Sequence, residues 1–68
     1  MTVANRIRAA RQDADLTQAE LAERVGVPQS SVSRWESGEV DPTTGKLAQI
    51  AHATGKPFAW FFGEEKVA

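Results

Sequence analysis

The 68-residue sequence predicts an all-α fold of five short helices in one domain. Three observations carry this. Thr17 and Glu20 have the Thr-x-x-Glu spacing that starts a helix, ahead of Leu21, Ala22 and Val25 on one helical face. Apolar residues recur three and four positions apart on both sides of that centre, and glycines and prolines punctuate the chain where each periodic segment stops. Residues 1–63 are expected to form the domain, and 64–68, charged and small, a short flexible tail.

Thr2 can cap the first helix, in which Val3, Ile7 and Ala10 face inward and Arg6, Arg8 and Gln12 face out; Asp13-Ala14-Asp15 closes it. The second helix starts at Thr17 and stops at Gly26, which accepts the left-handed backbone that ends a helix. Pro28, with its fixed φ and missing N–H, suits the first turn of a third helix running from about Pro28 to Ser37. The segment from Ser37 to Pro42 reads as a loop. A fourth helix begins near Pro42 to Thr44 with Asp41 or Thr43 as N-cap; Leu47, Ile50, Ala51 and Thr54 form its inner stripe and Gly55 ends it. Pro57 opens a short fifth helix, Phe58-Ala-Trp-Phe-Phe62. The candidate core is Ile7, Leu16, Leu21, Val25, Val32, Trp35, Leu47, Ile50 and part of the aromatic run. Geometry cannot turn Phe58, Trp60, Phe61 and Phe62 all inward. At least one should be exposed, with Trp60 assigned to the core.

The third helix has a thin inward face, Val32 and Trp35, while Gln29, Ser30, Ser33 and Arg34 project elsewhere. Glutamine matches the N6/N7 edge of adenine, arginine the O6/N7 edge of guanine, and serine fits several bases. Two helices joined by a short glycine-containing turn can set such a helix in the DNA major groove. Gln18 stands at the start of the second helix, where free N–H groups and the positive dipole end favour phosphate.

The ordered set Arg11, Leu16-Thr17-Gln18, Glu20-Leu21-Ala22, Val25-Gly26-Val27, Val32-Ser33-Arg34-Trp35-Glu36, Gly38, Pro42, Leu47, Ile50-Ala51, Gly55 and Trp60-Phe61-Phe62 resembles the Cro/repressor, or XRE, family of helix-turn-helix DNA-binding proteins. The resemblance implies a compact five-helix, lambda-repressor-like fold whose recognition helix carries Gln29 to Trp35. It implies a transcriptional regulator, a Cro-like repressor of phage or prophage type, binding a pseudo-palindromic double-stranded operator as a homodimer. On this reading Gln29, Ser30, Ser33 and Arg34 read bases, while Gln18, with Thr17, Arg6 and Ser31, meets phosphate. Arg11 and Glu36 match positions that form a partly buried, structural ion pair. Phe58 and Phe62 are the expected dimer contacts. Two departures stand out: Pro28 replaces a common Ser or Thr N-cap, and the loop Glu39-Val40-Asp41 is acidic where many relatives are basic.

The formal net charge of −1 and pI of about 5.7 run against the basic balance expected of a DNA binder. Affinity for random DNA should therefore be low, with Arg6, Arg8, Arg34 and Lys46 near the DNA and acidic residues turned away. An enzyme is rejected: there is one histidine, no cysteine and no tyrosine, and no glycine-rich phosphate loop. No metal, cofactor or small-molecule ligand is expected, and His52 is expected to be a surface residue. The absence of cysteine and of a long apolar run fits a cytoplasmic protein without membrane contact. The competing function is a protein-interaction module, such as an antitoxin or transcription cofactor.

Overall fold

A computed structural model describes residues 2–63; the expected tail at 64–68 lies outside them. Four α-helices, α1 (Val3–Asp13), α2 (Gln18–Val25), α3 (Gln29–Ser37) and α4 (Thr44–Thr54), are followed by a 3-10 helix, Phe58–Phe62. The described residues are all-helical, as expected, except that the fifth helix is a tight 3-10 turn.

Local chemistry accounts for each boundary. The Thr2 hydroxyl accepts the Asn5 N–H at 3.1 Å, and Thr43, rather than Asp41, does the same for Lys46 at 3.2 Å. At α2 the full capping box forms: the Glu20 N–H donates to Thr17 Oγ1 (3.0 Å) and the Thr17 N–H to Glu20 Oε1 (2.9 Å). Pro28 caps α3 without a side-chain hydrogen bond, so the helix starts at Gln29. Gly26 ends α2 in the left-handed conformation (φ 78°). Asp15 does the same after α1 at φ 59°, with its own N–H bonded to the Gln12 carbonyl and the Leu16 N–H to that of Arg11. Aspartate tolerates this region better than most residues but less readily than glycine.

One core joins the elements: Ile7 and Ala10 of α1, Leu16, Leu21, Ala22 and Val25 of the α2 region, Val32 and Trp35 of α3, Leu47, Ile50 and Ala51 of α4, and Phe61. The buried aromatic of the C-terminal run is thus Phe61, and Trp60 lies only partly buried against the core. The 3-10 period explains the difference. Successive residues stand a third of a turn apart, so only one of Trp60, Phe61 and Phe62 can point squarely inward. Thr54 is half-buried, its hydroxyl donating back to the Ile50 carbonyl at 2.8 Å. No helix among the described residues is long and apolar enough to cross a membrane.

Candidate nucleic-acid interface

The polar face of α3 is open. Gln29, Ser30, Ser33 and Arg34 are exposed, Ser31 is half-buried, and Val32 and Trp35 anchor the helix from beneath. The short turn Gly26-Val27-Pro28 fixes α3 against α2, with the Val27 N–H donating to the Ala22 carbonyl at 3.0 Å. The outer residues therefore ride on a rigid pair of helices, which is what precise contact with a regular surface requires.

Behind that face, the Glu36 carboxylate is almost wholly enclosed and gathers donors from α1 and α2. Arg11 grips it with two bonds, Nε to Oε2 at 2.6 Å and Nη2 to Oε1 at 3.0 Å, and uses Nη1 on the Leu16 carbonyl at 2.9 Å. Gln18 Nε2 donates to the same Oε1 at 3.1 Å. Arg8 Nε stands 3.6 Å from that oxygen while its Nη2 donates to the Glu36 carbonyl at 3.2 Å. Burial alone would push the Glu36 carboxyl upward, but the hydrogen bonds from Arg11 and Gln18 and the charges of Arg11 and Arg8 leave it below the usual carboxylate range. Its hydrogen bond to Glu36 raises Arg11, against the opposing effect of burial.

Sequence reasoning set Arg6 on the outer face, and the structure reverses this. Arg6 is buried, its Nη1 donating to the Trp60 carbonyl at 3.1 Å and its guanidinium carbon 4.8 Å from the centre of the Trp60 ring. The signal was available: Arg6 lies three residues after Val3 and four before Ala10, on the edge of the apolar stripe. The Trp60 carbonyl that it meets, however, is 54 positions away. A guanidinium held in this way is turned from the surface, and Arg6 is not placed to meet phosphate as the sequence expectation had it. Lys56 Nζ also stands 4.8 Å from the Trp60 ring and pairs with Asp13 at 3.2 Å.

Phe58 (40% exposed) and Phe62 (56% exposed) meet edge to face at a centroid distance of 5.3 Å. Phe62 also borders a groove of about 180 Å³ with Val3, Pro42 and Leu47. Glu39 and Asp41 are exposed in the loop after α3. His52 is exposed, in an open groove between α2 and α4 of about 640 Å³ that also includes Arg24 and Gln49.

Residues 7–61 match the Helix-turn-helix family HTH_3. The chain is 35% identical, over 96% of its length, to an immunity repressor protein of Bacillus phage phi105 and 40% identical over 62% to an HTH-type transcriptional regulator of Haemophilus influenzae. It spans 45% of the first relative and 18% of the second, less than half of either. Among solved structures, the P22 c2 repressor protein in complex with a synthetic operator superposes with a TM-score of 0.83 at 30% identity, covering 90% of this chain and 92% of that one.

Proposed function

The chain belongs to the helix-turn-helix family, and on that premise we propose that it is a sequence-specific transcriptional regulator, a repressor of phage or prophage type acting in the cytoplasm. The observation that carries this reading is the exposed polar face of α3, seated on buried Val32 and Trp35. Gln29, Ser30, Ser33 and Arg34 read base edges in the major groove. Gln18 at the start of α2, with Thr17 and Ser31, meets the phosphate backbone. The similarity to a repressor in complex with a synthetic operator supports the same use of the fold here.

One such helix covers only a few base pairs. Two copies related by a two-fold axis would read half-sites about one helical turn, ~34 Å, apart. The exposed Phe58–Phe62 pair beside the Val3, Pro42 and Leu47 groove is the surface on which the copies meet. It favours a second reading equally, a module that grips a different protein, and the experiment separates the two.

Selection of bound sequences from a random duplex pool should return a pseudo-palindrome. On that operator, Gln29→Ala or Arg34→Ala should cost about 1–3 kcal/mol while leaving the helical circular dichroism unchanged. Failure to enrich any duplex would remove the regulator reading and favour the interaction module. Phe62→Glu should convert one-step occupation of both half-sites into independent binding; unchanged cooperativity would place the dimer contact elsewhere.

A further inference from the structure

The three arginines of α1 meet three different surroundings. Arg6 turns inward onto Trp60. Arg11 uses Nε, Nη1 and Nη2 on Glu36 and Leu16, and its side chain is only 14% exposed. Arg8 differs from both. Its side chain is 50% exposed, its Nη2 donates to the Glu36 carbonyl, and it approaches the same Glu36 oxygen that receives the Gln18 amide. Arginine carries five N–H donors in a fixed fork, so Arg8 keeps donors beyond those directed at Glu36. Because a carboxylate only accepts, Glu36 also fixes which end of the Gln18 amide faces it, leaving the second N–H of Nε2 available.

From this convergence we infer that Arg8 is a DNA-backbone contact, held by Glu36 beside Gln18 so that both donate to one stretch of phosphate. The inference rests on the DNA-binding reading above and assigns a residue that it did not include. Charge supports it. Glu36 carries one negative charge against the two positive charges of Arg8 and Arg11, so the cluster is locally cationic within a chain whose formal net charge is −1. The exposed part of that excess belongs to Arg8, since the side chains of Arg11 and Glu36 are 14% and 1% exposed. An acidic chain thereby presents a localised positive point to a phosphodiester without a basic surface overall.

The test is the salt dependence of binding to a random-sequence duplex and to the selected operator, with the folded state followed by circular dichroism. Arg8→Ala should reduce the slope of log K against log salt by about 0.9 for each bound subunit on both DNAs, so by about 1.8 for two copies on the operator. Between 50 and 200 mM salt it should lose roughly three- to fourfold less affinity per bound subunit than the wild type. Arg8→Lys should restore the slope, because a point charge still neutralises a phosphate. Gln18→Ala, which removes a neutral donor, should weaken binding on both DNAs and leave the slope alone. Glu36→Gln gives a test of sign in variants that stay folded: removing a negative charge favours DNA electrostatically, so weaker binding identifies the orienting role of Glu36, and stronger binding refutes it. An Arg8→Ala slope equal to that of the wild type would overturn the assignment of Arg8. Wild-type protein that binds no duplex would overturn the DNA reading itself, and this inference with it.

Discussion

Arg11 and Arg6 lie on the same helix, five residues apart, and both are largely withdrawn from water; Arg11 closes on the Glu36 carboxylate of α3, and Arg6 reaches the Trp60 carbonyl and indole ring of the 3-10 helix. The Glu36 region is a closed electrostatic knot in which Arg11 supplies two bonds to a carboxylate that water barely reaches. The Trp60 region is a looser stack, with Arg6 and Lys56 each 4.8 Å from the ring centre and the ring itself only partly buried. Both regions tie distant segments to α1. Removing Arg11 strands a buried charge, whereas removing the Trp60 ring takes a shared contact from two cations at once.

The largest expected effect comes from the knot. Arg11→Met should destabilise the free protein by about 3–5 kcal/mol, because Glu36 loses its principal partner. In a chain of this size, that should appear as a large fall in melting temperature or as loss of the cooperative transition. Pairing Arg11→Met with Glu36→Met should recover part of the loss; strictly additive melts would mean that the two side chains are not coupled.

Trp60→Leu should have a smaller effect, about 1–2 kcal/mol by denaturant titration, since it removes the ring beneath Arg6 while the backbone carbonyl remains. Acid distinguishes the regions differently. Glu36 is held below its unfolded-state value, so its contribution is complete above the ordinary glutamate value of about 4.3 and is lost as pH falls through the lowered folded value. Melting temperature followed from pH 7 to pH 2 should therefore drop in the acid limb, and Glu36→Gln should flatten that part of the curve. Equal losses for Trp60→Leu and Arg11→Met would break the comparison.

The parts of the fold legible in sequence were those set by near neighbours. Thr17 and Glu20 lie three residues apart and cap each other; Gly26 and Gly55 end helices through their own backbone freedom; Val32 and Trp35 share a face by spacing alone. What could not be read depended on distant partners or on a change of helical period. The sequence sets Arg6 toward solvent because the ring it meets lies at the far end of the chain, and it sets Trp60 in the core although the chain there winds three residues to the turn. At the candidate interface, the outward set of α3 was legible from its spacing. The sequence sets Arg8 outward and near the DNA but does not separate it from Arg6, because that distinction exists only once α3 and the 3-10 helix have closed on α1.

The sequence holds two tryptophans and no tyrosine, so ultraviolet emission excited at 295 nm comes from Trp35 and Trp60 alone. One indole sits in the core beneath the outward face of α3, next to Glu36; the other has two cations 4.8 Å from its ring centre, in the run that holds the exposed phenylalanines. Each of the two regions thus carries its own native chromophore. Single Trp→Phe replacements would separate the signals, so that opening of the C-terminal stack and loosening of the α3 anchor could be timed independently without attaching a dye.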